Sequence, residues 1–123
     1  MLGLSVALLG LTVILGGAVV VAAAGAPGKP PSPFLAGAHG ASAVLGYAVL
    51  LAALIEGPAR GAATGTQSFG TTAAVLLLLA ACLGIASLVI HARKRRLPGF
   101  WAGAHATVAI AGYVILAVYL LLG

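Results

Sequence analysis

Charged residues are scarce in this sequence, and acidic residues are almost absent. Only 6% of the 123 residues are charged, and Glu56 is the single acidic residue beside six lysines and arginines. Hydrophobic residues make up 63% of the chain. A soluble domain of this size cannot bury that much apolar surface, because small domains have a high surface-to-volume ratio. The composition therefore excludes a soluble globular domain and predicts an integral membrane protein.

The residues needed for most enzyme chemistry are also missing. Cys82 is the only cysteine, so it cannot form an internal disulfide or a Cys-x-x-Cys-His haem attachment motif. Glu56 has no second acid–base group to work with, and no phosphate-binding glycine loop is present. The basic residues form no aromatic-lined face, so nucleic-acid binding is not expected. We expect no catalytic site in this chain alone, and at most a subunit role in an oxidoreductase.

Four apolar segments are each about long enough to cross a ~30 Å hydrocarbon core, which needs roughly 20 helical residues. They lie at residues 3–24, 34–55, 71–91 and 99–122. Each should be a helix, because lipid offers no partner for unpaired backbone groups. The sequence thus predicts an all-α fold, a single transmembrane domain (1–123) that forms an up-and-down four-helix bundle.

Positive charge is concentrated in two of the three connections. Lys29 lies between the first and second predicted helices, the Arg-Lys-Arg-Arg cluster of residues 93–96 lies between the third and fourth, and the remaining connection carries only Arg60. The positive-inside rule predicts that the first and third connections are cytoplasmic and that both termini face the other side. We expect a multi-pass protein of a bacterial inner membrane.

The second half of the chain repeats a segment of the first half. Residues 34–54 and 100–120 align without gaps at an offset of 66, with ten of 21 positions identical, including His39 and His105. The repeat unit is a helical hairpin (1–56 and 67–122), and both copies run in the same direction, unlike the inverted repeats of many transporters. At this offset the first and third predicted helices share only their hydrophobicity, and Gly25 falls opposite His91.

Each of the paired histidines lies in a stripe of small side chains along its helix, at about 100° per residue. These residues are Ala36, Ala43 and Gly46 around His39, and Ala102, Ala109 and Gly112 around His105. Such a stripe serves either for close helix–helix contact or as a slot for a flat cofactor. An imidazole within the bilayer is costly and is usually functional, which favours the cofactor slot.

The two histidines are also predicted to face each other. His39 follows the start of its predicted helix by five residues and His105 by six, so both lie about 7–9 Å inside the same end of the bundle. The second and fourth helices are diagonal, roughly 11–14 Å apart if neighbours are 8–10 Å apart. This separation is too wide for a direct hydrogen bond but suits one metal ion between the imidazoles. We predict that His39 and His105 are the axial ligands of one low-spin haem b in the bundle core.

The basic cluster would then have a second role. Arg93 and Arg96 are candidate partners for the haem propionates, although topology alone also explains these charges. His91 is expected to end the third helix and to interact with the helix dipole. It could instead bond a propionate, line a quinone pocket or replace one of the axial ligands.

Three other assignments of the histidines remain open. A bare zinc or copper ion would need further ligands, and no carboxylate lies nearby. A chlorophyll-type pigment is accompanied in antenna proteins by a small residue four positions before the histidine, where this chain has Leu35 and Trp101. The two histidines could also be purely structural.

With the histidines placed, the chain resembles the small four-helix membrane cytochromes of b type, including the cytochrome b subunits that anchor respiratory enzymes. The resemblance rests on His39 and His105, with Gly46 and Gly112 in the slot. It implies an electron-transfer subunit with its haem near the cytoplasmic face, working with other membrane subunits, a redox protein or quinone. Several such families have four core histidines for two haems, whereas this chain has three histidines in all.

Two other function classes were weighed against electron transfer. One is a cofactor-free structural subunit that packs against larger membrane proteins through its alanine and glycine faces. The other is a small transporter. Small multidrug transporters have a membrane-embedded glutamate in their first helix, and the first helix here carries no charge, so this class ranks lowest.

Overall fold

The chain forms four long helices. A computed structural model describes residues 1–26, 29, 31–57, 65–94 and 99–122. The helices are α1 (Leu2–Gly25), α2 (Pro33–Glu56), α3 (Gln67–Lys94) and α4 (Gly99–Leu122), with no strand among the described residues. Each is long and apolar enough to cross a membrane, so the all-α fold with four membrane-spanning helices is confirmed.

The helix ends follow the local sequence. α2 begins at Pro33, where a fixed φ suits the first turn and the missing N–H is not needed. α3 begins four residues before the predicted residue 71 and ends three residues after residue 91. Polar and basic residues near its ends shorten the segment that can lie in the hydrocarbon core. They do not end the helix, which continues through them. As a result His91 lies within α3 instead of ending it.

The four helices are arranged as two hairpins. α1 packs closely along α2, and α3 packs closely along α4, while contacts of α1 with α4 and of α2 with α3 are less extensive. The helices thus form a ring in chain order, with α2 and α4 on one diagonal. This is the up-and-down bundle of two hairpins that the repeat predicts.

The apolar core lies toward the end of the bundle where the chain termini are. Leu50 and Leu116 are fully buried, and Leu9 and Tyr119 nearly so. Leu50 and Leu116 each follow the histidine of their helix by eleven residues, or about 16 Å at ~1.5 Å per residue. The histidines therefore occupy the other half of the bundle, away from this core.

The two hairpins are closed by equivalent contacts. A methyl group added at Gly46 would lie 2.8 Å from Leu9 Cγ, and one added at Gly112 would lie 3.1 Å from Leu77 Cγ. The glycines differ by 66 positions, but the leucines differ by 68. The chain from Leu77 to Gly112 is therefore two residues shorter than the chain from Leu9 to Gly46.

The corrected offset reveals a repeat in α1 and α3 as well. At an offset of 68, residues 2–25 and 70–93 are identical at eight of 24 positions, among them Gly16 and Gly84. The expectation that these helices share only hydrophobicity was wrong. That expectation applied the offset of 66, which relates α2 to α4, to α1 and α3 as well. The offset of α1 and α3 is two residues larger, because the spacing between helices differs in the two hairpins.

Candidate functional site

His39 and His105 meet inside the bundle, between the two hairpins. Their ring centroids are 6.0 Å apart, and the ring planes are inclined at 82°. Both residues are half-buried. The imidazoles therefore turn toward each other and not outward to lipid.

Each imidazole is anchored on the neighbouring helix of its own hairpin. Nδ1 of His39 lies 2.9 Å from the carbonyl oxygen of Thr12 in α1, and Nδ1 of His105 lies 2.6 Å from the carbonyl oxygen of Ala80 in α3. A carbonyl oxygen can only accept, so Nδ1 carries the proton and donates it in both rings. In the neutral imidazoles, the lone pair of Nε2 is left free to bind a metal ion.

On the helix that supplies the carbonyl, a glycine one turn farther along makes room for each ring. A methyl group added at Gly16 would lie 3.0 Å from Cε1 of His39, and one added at Gly84 would lie 3.0 Å from Cε1 of His105. Each glycine follows the residue that supplies the carbonyl by four positions. One helical turn thus provides both the hydrogen bond and the space for the ring.

The spacing of the rings suits one metal ion between them. Metal–nitrogen bonds to imidazole are about 2.0–2.1 Å long, and the ring centre lies about 1.1 Å behind the nitrogen, so opposite ligands place their centroids about 6.3 Å apart. The observed 6.0 Å is close to this value. No group of three or more histidine, cysteine, aspartate or glutamate side chains that could hold a metal occurs in the described part of the chain.

Hydroxyl groups surround only one of the two histidines. Thr12 Oγ1 and Ser42 Oγ are 2.8 Å apart, and Ser42 Oγ lies 3.0 Å from the carbonyl oxygen of His39. In the second hairpin the corresponding positions are Ala80 and Val108. The hydroxyl pair beside His39 thus has no counterpart at the equivalent positions around His105.

The predicted stripe residues divide into two groups. Half-buried alanines accompany each histidine within four residues along its helix, namely Ala36, Ala43, Ala102 and Ala109. Gly46 and Gly112 are buried but lie seven residues farther along, about 10 Å from the imidazoles, where they contact leucines of the partner helix. The alanines are thus near the histidines, whereas the glycines allow the hairpins to close.

The predicted propionate partners lie near the end of the bundle that is opposite the chain termini. The side chain of Arg93 is exposed in the last turn of α3, and Arg96 lies outside the described residues. Lys29 is also exposed at this end. His91 follows Gly84 by seven residues, or about 10 Å along α3, so it is not one of the two rings that meet.

The paired tyrosines connect the hairpins. Tyr47 in α2 donates from its hydroxyl to the carbonyl of Ala74 in α3 at 3.2 Å. Tyr113 in α4 lies against Gly10 in α1, where an added methyl group would be 2.7 Å from the tyrosine hydroxyl. Tyr47 thus packs between helices with its hydroxyl on a backbone carbonyl.

Reasoning from the sequence missed the partners of the histidines. The carbonyls of Thr12 and Ala80 could not be predicted, because a residue of any type supplies a backbone carbonyl. Gly16 and Gly84 do carry a signal, since they are identical at the offset of 68, but the offset of 66 conceals it. No family model matches this chain, and neither a curated protein nor a solved structure shows significant similarity to it.

Proposed function

We propose that this protein is a membrane electron-transfer subunit that binds one haem b between His39 and His105. One observation carries the proposal: two imidazoles face each other at 6.0 Å, and both donate Nδ1–H to a backbone carbonyl. Metal-ligating histidines almost always donate their second ring nitrogen to a carbonyl, carboxylate or water, which fixes the tautomer and the ring orientation. This arrangement supports the assignment of His39 and His105 as a pair of axial ligands.

A haem suits this ligand set better than a bare ion. Structural zinc sites take four protein ligands in a tetrahedron, and His39 and His105 supply two. A porphyrin provides four nitrogen ligands itself and needs only the two axial positions filled. The half-buried alanines beside the histidines would obstruct a flat ring less than larger side chains would.

When bound, the haem would supply a one-electron redox centre with both axial positions filled, which favours electron transfer over oxygen chemistry. The chain's own contribution is positional. The carbonyls of Thr12 and Ala80 keep both rings in one tautomer, and Gly16 and Gly84 allow the rings to lie against the helix backbone. Because the imidazoles are fixed before the metal binds, little rearrangement should accompany a change of oxidation state.

The proposal includes the environment of the site. The exposed Lys29 and Arg93 mark the end of the bundle nearer the histidines, and the positive-inside rule assigns this end to the cytoplasm. The membrane is proposed to be a bacterial inner membrane. The partners would be other membrane subunits, a redox protein or quinone, since long connections that could bind a soluble substrate are absent from the sequence.

A structural subunit without a cofactor is the second candidate. Gly37 and Gly40 in α2 are exposed, and a methyl group added at either would meet no atom within 4 Å. Small residues on a lipid-facing surface permit close contact with another membrane helix. This surface would serve either function, so only the cofactor distinguishes them.

The absorption spectrum of the purified protein tests the proposal. Reduction with dithionite should give sharp α and β bands, and extraction into pyridine should identify haem b. His39→Ala and His105→Ala should each abolish the bands, because one axial ligand is lost. His91→Ala should retain the bands at saturating haem, because both ligands of the iron remain.

Two results would contradict this assignment. A protein that stays colourless after expression with added haem and after reconstitution would leave the structural subunit as the better function. Loss of the bands in His91→Ala, with the bands intact in His39→Ala or His105→Ala, would show that a different pair ligates the iron.

A further inference from the structure

Two polar side-chain atoms in α3 are buried without a hydrogen-bond partner. They are Oγ of Ser87 and Nδ1 of His91, and no other such side-chain atom occurs among the described residues. Ser87 is only 8% exposed, and His91 is half-buried. An unpaired hydroxyl in an apolar interior costs roughly 1–3 kcal/mol by mutational data, and lipid cannot satisfy it. These atoms therefore need a partner that the described residues do not supply.

Ser87 differs in this respect from other hydroxyls in the bundle. Thr12 donates to the carbonyl of Leu8, and Thr107 donates to the carbonyl of Gly103, each four residues earlier. This back-bonding is the usual way for a helical serine or threonine to satisfy its hydroxyl. Ser87 has the same opportunity but does not use it, so its hydroxyl is available to a ligand.

Ser87 and His91 lie on the face of α3 that reaches the histidine pair. At about 100° per residue, both fall within about 60° of Gly84, the residue that contacts His105. Along the helix they lie about 4.5 Å and 10.5 Å from Gly84, toward the basic end. The corresponding positions of α1, at an offset of 68, are Val19 and Ala23. The polar groups thus form a short path on one side of the bundle only.

The surroundings indicate that the missing partner is an anion. Both atoms can donate a hydrogen bond, Ser87 through its hydroxyl and His91 through Nδ1–H. The exposed cations Lys29 and Arg93 lie at the same end, and no acidic residue occurs near this end in the sequence. A carboxylate fits two donors at a positive end better than a neutral carbonyl does.

We propose that Ser87 and His91 bind a carboxylate, and, resting on the proposed function, that this carboxylate is a propionate of the haem between His39 and His105. The two donors lie between the level of the histidines and the basic end. Binding there would satisfy both buried atoms and fix the rotation of the macrocycle about the axis through the two imidazoles. The propionate would then lie beside α3 and not beside α1.

The test compares haem b with its dimethyl ester, which has the same ring and iron but no propionate charge. Apoprotein is titrated with each compound, and affinity is read from the absorption change. His91→Ala and Ser87→Ala together should weaken haem b binding by roughly tenfold or more, the range for hydrogen bonds to a charged group. Binding of the ester should be unchanged. Ser68→Ala, an exposed position on the same helix, is the control and should alter neither.

The stability of the apoprotein gives a second readout. Ser87→Ala removes an unpaired buried hydroxyl, so apoprotein with this change should unfold at the same or a higher temperature than the wild type. A serine needed for packing would give the opposite result. Lower stability in Ser87→Ala, together with equal loss of haem and ester, would overturn the carboxylate site while leaving the axial ligands in place.

The remaining outcomes also separate the two proposals. Wild-type protein that binds neither haem b nor the ester would overturn both. Variants that bind haem b normally but lose affinity for a short-chain quinone would overturn the carboxylate and assign these donors to a quinone carbonyl.

Discussion

Gly16 and Gly84 show how much a single residue can decide in this bundle. Each imidazole lies against the backbone of the neighbouring helix and donates to a carbonyl one turn away. Both interactions need the ring close to the helix axis, and any side chain at the glycine would push it away. The orientation of the proposed metal ligands therefore depends on residues that touch no metal.

We predict that Gly16→Ala weakens haem binding. The added methyl group would lie 3.0 Å from Cε1 and 3.2 Å from Nδ1 of His39, so the ring must move and its bond to Thr12 must lengthen. Loss of the hydrogen bond that orients a ligating imidazole costs about 10–100-fold in metal affinity, and a displaced ring should approach the lower end of that range. Titration of apoprotein with haem measures the effect.

Gly17→Ala is the matched control for this change. Gly17 is the next residue in α1, and a methyl group there would meet no atom within 4 Å. Alanine at this position should leave haem affinity unchanged and stabilise the helix by up to about 1 kcal/mol. Equal haem affinity in Gly16→Ala and Gly17→Ala would show that the space beside His39 is not needed.

Helix pairs are the next scale, and here packing within a hairpin dominates. Gly46 lets α1 approach α2, and Ser5 in α1, which is fully buried, donates to the carbonyl of Gly46 at 3.0 Å. Leu9, which fills the space beside Gly46, is 4% exposed and has little room to move. A close contact between backbones and an interhelical hydrogen bond thus occur at the same position, as is common between membrane helices.

We predict that Gly46→Ala destabilises the first hairpin by about 1–3 kcal/mol, the usual cost of overpacking. The new methyl group would lie 2.8 Å from Leu9 Cγ, a distance that requires one helix to shift. Gly112→Ala should cost less, because its nearest contact would be 3.1 Å. Thermal unfolding in detergent measures both, with Gly40→Ala as the control in open space. Gly46→Ala as stable as Gly40→Ala would contradict this packing.

At the scale of the whole molecule, charge and hydrophobicity occupy different regions. Large apolar side chains are exposed along all four helices, as expected for a surface in contact with lipid. Apart from Arg60, the basic residues of the sequence lie in or next to the two connections at the end nearer the histidines. The proposed metal also lies between the hairpins, where the helix packing is least extensive, so it would join the two repeats.

We predict that the termini and the basic end lie on opposite sides of the membrane. Alkaline phosphatase fused after Gly123 should be active in the periplasm of a bacterial host, and green fluorescent protein fused there should not fluoresce. Replacing the basic residues at 93–96 and Lys29 by glutamine should give mixed orientations, because the charge difference that sets topology is lost. Arg60→Gln should change nothing. A fluorescent fusion without phosphatase activity would reverse the assigned sides.

The features that depend on the length of the apolar segments, on helical periodicity and on the internal repeat could be predicted from the sequence. Long apolar segments fix the number of helices, because lipid permits no unpaired backbone. The repeat places His39 and His105 at equal depth on helices that enter from the same side, and their meeting follows from that geometry. The small residues beside them also indicate an inward face.

Other features of the site could not be predicted. A carbonyl acceptor such as that of Ala80 has no side-chain signature, and its choice depends on how two helices are rotated against each other. The two-residue difference in spacing between equivalent positions of the two hairpins could be recognised only once contacts showed which leucine lies beside each glycine. The unpaired Oγ of Ser87 is equally a property of packing, since many helical serines bond to their own helix.

The sequence by itself determined a four-helix membrane protein with two histidines at one level, because hydropathy and helical periodicity act over local stretches of chain. Only the tertiary structure decided how those histidines are oriented, since each ring is fixed by the backbone of another helix. It also decided that Gly46 closes a hairpin while Gly16 accommodates an imidazole. Both roles require a residue without a side chain, and only the neighbouring atoms distinguish them.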